Sequence, residues 1–133
     1  MIFQIYDEDS KEVEEEKKWV DITPYIKVRG LKWQRADVEG ENATRNLDGS
    51  LVRDRRAIAT RWDITCRPLT GEEAQKILKL IRPVTVQVTC DDPMWGTISK
   101  EYYSNNIPAS YLINRDGVDY WDGIVFPLIE VNP

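Results

Sequence analysis

The 133-residue chain carries 31% charged and 41% hydrophobic residues with a formal net charge of −5, the composition of a water-soluble domain with a core of its own. Its apolar runs are all far shorter than the roughly 20 residues that cross a bilayer as a helix, and no charged-then-apolar leader opens it, so neither a membrane nor export is expected. Histidine is absent, which removes the commonest general base and transition-metal ligand, and the two cysteines have no Cys-x-x-Cys spacing.

A short first strand is expected around Ile2, Phe3, Ile5 and Tyr6, followed at 7–18 by an acidic arm whose one apolar residue is Val13. Seven acids against three lysines in 1–18 cannot bury enough surface to fold alone, so this stretch reads as a mobile loop or a short solvated helix. From Trp19 the pattern turns to strands. Trp19-Val20-Asp21-Ile22 is followed by Tyr25-Ile26-Lys27-Val28 and, after Gly30, by Leu31-Lys32-Trp33-Gln34-Arg35, which alternates cleanly.

Residues 37–56 are an insertion too long and too charged for a simple hairpin turn. Its charged residues Arg45, Asp48, Arg53, Asp54, Arg55 and Arg56 have three readings: an ordinary long loop, a phosphate-binding arm, or a protruding hairpin that docks on a neighbouring copy. The two aspartates would repel phosphate, and interleaved signs suit a protein partner. Docking is therefore the expectation, with no sequence-specific nucleic acid. Residues 29–67 hold nine basic against six acidic residues, whereas 68–133 hold nine acidic against five basic, an asymmetry suited to head-to-tail self-association.

Ile58, Thr60, Trp62, Ile64 and Cys66 point one way on the clearest strand, with Ala59, Arg61, Asp63 and Thr65 on the other side. Thr70-Gly71-Glu72-Glu73 is a capping box that opens a helix over about 70–82, with Ala74, Ile77, Leu78 and Ile81 as its apolar stripe and Pro83 as its stop. Val84–Cys90 is the next strand, Asp91–Gly96 a loop, and Thr97–Tyr103 a strand again. Ile107–Ile113 leads to an Asn114-Arg115-Asp116-Gly117 hairpin turn, and the returning strand is read as running from Asp119 to Val131, with Pro127 marking an edge or bulge. The elements make one mainly β (α+β) domain over 1–133: an antiparallel β-sandwich or barrel with one flanking helix and the long inserted loop or hairpin.

Candidate chemistry is sparse. Asp91 and Asp92, with Glu101 and Asp122 as candidate neighbours, form the best acidic group, but the ligand spacing of a calcium loop is missing and a solvated strand-end turn is the expectation. Cys66 and Cys90 read as small buried thiols. No phosphate loop is present and no nucleophile has a histidine to activate it, so an enzyme is not expected, and no cofactor or metal is implied. Trp95, Tyr120 and Trp121, near turns, could stack on a sugar ring, whereas Trp33 and Trp62 share parity with core residues.

Asp21-Ile22-Thr23-Pro24-Tyr25-Ile26, then Asn46-Leu47-Asp48-Gly49-Ser50 with Arg53 and Arg56 downstream, then Pro68-Leu69-Thr70-Gly71-Glu72-Glu73-Ala74, resemble small tail proteins of phages and prophages of Gram-positive bacteria. The resemblance covers about residues 19–90, and the acidic arm departs from it. The element order is also similar to the tail-tube and distal-tail fold. The resemblance implies a virion structural protein, made in the host cytoplasm, that assembles with itself into rings, often hexameric, and with other tail proteins. Residues 37–56 would then be the stacking or inter-subunit arm, and exposed strand edges would extend sheets between neighbours. The alternative is a carbohydrate-binding β-sandwich module of a tail tip or baseplate, using Trp95, Tyr120 and Trp121.

Overall fold

The computed structural model describes the backbone of residues 1–39, 44–45, 51–52 and 55–131, and the side chains of 1–35 and 59–131. Within these residues the chain is an antiparallel β protein with one α-helix, as the alternating patterns predict. β1 (Phe3–Tyr6) and β2 (Trp19–Asp21) pair as a hairpin, and the acidic stretch is the connection between them. It holds a 3-10 turn at Glu15–Lys18, is closed by the Asp7 N–H donating to the Lys18 carbonyl at 2.8 Å, and reaches the helix end through an Arg82–Asp9 ion pair.

β3 (Ile26–Glu39) and β6 (Arg55–Cys66) form the longest pair, with β4 (Thr44–Arg45) and β5 (Leu51–Val52) paired between them in the chain. The expected strands Tyr25–Val28 and Leu31–Arg35 are thus one strand from Ile26 on, with Tyr25 ending a 3-10 turn over Thr23–Tyr25. The register of β3 shifts between Ile26 and Leu31, where Arg29 has φ of 62° and Gly30 presses against the Thr65 carbonyl. A side chain at position 30 would collide with that carbonyl, which is why glycine stands there.

β7 (Leu69–Thr70) is too short to show in the sequence pattern. It leads directly into α1 (Gly71–Leu80), where both hydrogen bonds of the capping box are made. Ala74, Ile77, Leu80 and Ile81 are buried, while Leu78 is only half-buried, so the stripe sits slightly off the expected one. β8 (Val86–Asp92) starts two residues later than expected, with Val84 exposed, and carries the inward parity of Val86, Val88 and Cys90 on to Asp92. β9 (Gly96–Tyr103), β10 (Ser110–Arg115), β11 (Val118–Asp122) and β12 (Val125–Glu130) complete the chain. The expected single strand 119–131 is two strands in different sheets, broken where Gly123 takes φ of 68°. Asp116 and Gly117, at φ of 53° and 81°, make the expected two-residue hairpin turn between β10 and β11.

The main sheet has the order β2-β1-β8-β9-β12-β6-β3, and a smaller one the order β10-β11-β7. The large sheet curls on itself. Phe3 on β1 packs edge-on against Trp62 on β6 with ring centroids 5.1 Å apart, although three strands separate them in the order. The Trp33 indole on edge strand β3 donates to Asp92 at the end of β8 at 3.0 Å, closing the same curl. The buried face of α1 and Leu69 join Phe3, Ile5, Trp62, Ile64, Phe126 and Leu128 in one hydrophobic cluster, so the helix and small sheet cap the core of the large one.

Candidate assembly surface

The β3–β6 pair is the feature that leaves the body of the molecule. β12 accompanies β6 only as far as Arg61, opposite Ile129, while β3 and β6 remain paired out to Glu39 and Arg55. The segment from Arg35 and Thr60 outward is therefore a two-stranded ribbon. Arg45 lies in β4, and Arg55 and Arg56 begin β6. Asp48, Arg53 and Asp54 lie outside the described residues, as do the side chains of all six expected interface residues.

A carboxylate marks the ribbon's root. Glu130 is buried on the same face of β12 as Phe126 and Leu128. Where β12 parts from β6, its Oε2 accepts the Thr60 backbone N–H at 2.9 Å and the Thr60 hydroxyl at 3.1 Å. Lys100 Nζ reaches its Oε1 at 2.7 Å, and the Tyr102 hydroxyl lies 3.5 Å from that of Thr60. Burial pushes the Tyr102 phenol up to about 12, so it stays a neutral hydrogen-bonding group. The side chain replaces a strand neighbour for one backbone amide, and Lys100 compensates its charge. Nothing in the sequence reading singled out Glu130. The available signal was its parity with Phe126 and Leu128.

The acidic pair is structural. The solvated turn expected at Asp91-Asp92 describes Asp91 but not Asp92, which is 4% exposed. Asp92 Oδ1 accepts the N–H groups of Met94 and Trp95 at 2.8 and 3.1 Å, and its Oδ2 the Trp33 indole. Asp91 accepts from the Ile2 amide and the Thr97 hydroxyl, which hold its carboxyl below the usual range, with the Thr97 bond the larger cause. Glu101 faces Gln87 at the far end of the β8–β9 hairpin, and Asp122 belongs to the other sheet. Among the described residues no three His, Cys, Asp or Glu side chains converge as a metal site. Cys66 and Cys90 are buried free thiols, both pushed up to about 11 by burial.

The aromatic candidates are dispersed. Trp95 is 55% exposed on the β8–β9 turn, with Lys100 Nζ 5.6 Å from its ring. Tyr120 and Trp121 are consecutive on β11 and so face opposite sides of the small sheet. Trp121 packs edge-on against Tyr111 and lines a cleft of about 350 Å³ with Ala74, Gln75, Leu78 and Asp119 beside α1.

No family model, curated protein or solved structure matches the chain. What the geometry offers is contact area: a long ribbon with a fixed root, and sheet edges whose backbone groups can pair with another strand.

Proposed function

We propose that this chain is a structural protein of a phage tail, a ring-forming homo-oligomer of the tube, distal tail or neck. It acts in the virion after synthesis in the host cytoplasm and contacts itself and other tail proteins. The observation that carries this reading is the β3–β6 ribbon, which continues past the last pairing of β6 with β12 at Arg61 toward a segment rich in arginine. A charged segment with interleaved signs at the end of a two-stranded ribbon suits subunit docking better than it suits a substrate cradle. The motifs that resemble those of phage tail proteins, Asp21–Ile26 and Pro68–Ala74, lie at the end of β3 away from the ribbon and at the start of α1. The carbohydrate reading finds less support, because a stacking platform needs its rings on one face and Trp95, Tyr120 and Trp121 are not so arranged.

Multi-angle light scattering of the purified protein tests the role of the arm. The native chain should form a discrete oligomer, and Arg53→Glu, Arg55→Glu and Arg56→Glu together should leave a folded monomer. Equal mass before and after the change would remove the arm from the interface.

A further inference from the structure

Where the Trp33 indole meets Asp92 and closes the curl of the large sheet, the surface opens into a hollow of about 540 Å³. Its apolar walls are Met1, Leu31, Trp33, Trp62 and Pro93, and Asp91 and Asp92 complete the lining. Trp33 and Trp62 stand directly opposite each other in the β3–β6 register, so both indoles rise from one face of that pair. Each ring is held in place. Phe3 packs edge-on against Trp62, and Asp92 accepts from the Trp33 N–H. The two carboxylates have neutral hydrogen-bond donors alone: for Asp92 the Met94 and Trp95 amides and the Trp33 indole, for Asp91 the Ile2 amide and the Thr97 hydroxyl. Among the described residues neither forms an ion pair with a side chain. The Thr97 hydroxyl is the main cause that holds the Asp91 carboxyl below its usual range, and the Met1 ammonium the least. Indoles beside uncompensated negative charge are a setting that draws a cation onto ring faces.

We infer that this hollow binds a quaternary ammonium group, seated against the Trp33 and Trp62 indoles with Asp91 and Asp92 as counter-charge. Charge and walls together select the class. Two carboxylates repel an anion, and a neutral apolar occupant would leave Asp92, only 4% exposed, as a nearly buried charge with no counter-ion. Among cations, hydrogen bonding decides. Asp92 already accepts three N–H groups, out of roughly four lone-pair sites on a carboxylate. The hollow therefore offers a lysine or arginine few acceptors for the donors it would bring out of water. A quaternary ammonium has no N–H to satisfy, its methyl groups suit the apolar walls, and its charge suits the rings. Every contact comes from one copy of the chain, so the inference goes beyond the proposed function and does not depend on self-assembly.

Isothermal titration calorimetry of the native chain tests it with three probes. They are choline, its neutral isostere with tert-butyl in place of trimethylammonium, and N-acetyl-arginine amide as a guanidinium side chain. Choline should bind saturably with a dissociation constant of about 1 mM or below, and the other two at least about tenfold more weakly. Trp33→Leu keeps the wall apolar and removes the ring, and should weaken choline about tenfold. Asp91→Asn should weaken choline severalfold and leave the isostere unchanged. No saturable binding of choline to the native chain overturns the inference. So does an isostere that matches choline, which would make the hollow indifferent to charge, and so does an arginine amide that matches it, which would make the site an ordinary ion pair. A Trp33→Leu protein that keeps the native circular dichroism spectrum and the native affinity for choline places the binding elsewhere and also overturns it. Should Trp33→Leu fail to fold, the three probes on the native chain and the Asp91→Asn comparison decide the matter.

Discussion

Asp92 shows how one side chain organises several elements. Its carboxylate ends β8, holds the Met94 and Trp95 amides of the following turn, and reaches across to the Trp33 indole on β3. Asp92→Ala would strand these donors, of which the turn amides can turn to water and the indole only in part. An expected loss of about 2 kcal/mol follows, measured as a lower urea midpoint, with Asp92→Asn retaining more of it. The sequence held the information in the parity of Val86, Val88, Cys90 and Asp92. What hid it was chemistry: a carboxylate beside a second carboxylate, before a proline, reads as solvated until its long-range partner Trp33 is known. Glu73 makes a prediction about pH. The hydrogen bond from Arg67, at 2.8 Å, is the main cause that holds its carboxyl below the ordinary range, with the Thr70 amide assisting against partial burial. A depressed native pKa stabilises the fold fully above the unfolded value of about 4.3, and that contribution disappears as pH falls through the native value. The stability difference between the native protein and Glu73→Gln should therefore shrink on acidification. A difference that stays constant from neutral pH down to about pH 3 would contradict it.

At the scale of elements, local signals transferred well and long-range ones did not. The capping box over Thr70–Glu73 and the Asp116-Gly117 turn depend only on neighbours in sequence, and both were legible. The partition into two sheets was not, because β7 meets β11 across some fifty residues and contributes only Leu69 and Thr70. Nor was the split between β11 and β12, since only Asp122-Gly123 stands between the apolar Tyr120-Trp121 and Ile124-Val125-Phe126. Gly30 tests the most constrained backbone in the β3–β6 pair. A methyl group there would meet the Thr65 carbonyl and, at 2.8 Å, both Ile26 Cγ2 and the Lys27 carbonyl. Gly30→Ala should cost about 3 kcal/mol in equilibrium unfolding, since backbone rather than a movable side chain must yield. An unchanged midpoint would mean that the irregular stretch between Ile26 and Leu31 is more adaptable than its packing indicates.

For the whole molecule, the fold class was readable from alternation and the single helix, and the structure adds where surfaces lie. One curled sheet, capped by α1 and the small sheet, leaves the β3–β6 ribbon, the β3 edge and the β10 edge facing outward. The acidic connection 7–18 and the cationic β3 edge keep opposite signs on separate surfaces, which favours head-to-tail contact over symmetric pairing. Pairing of Glu39 with Arg55 carries the ribbon past the end of β12, toward the neighbouring copy that the proposed assembly requires it to meet. That meeting is the central claim, and electron micrographs of the purified, negatively stained protein test it most directly. The account predicts rings of uniform diameter, alone or stacked into tubes; particles of monomer size throughout would contradict it.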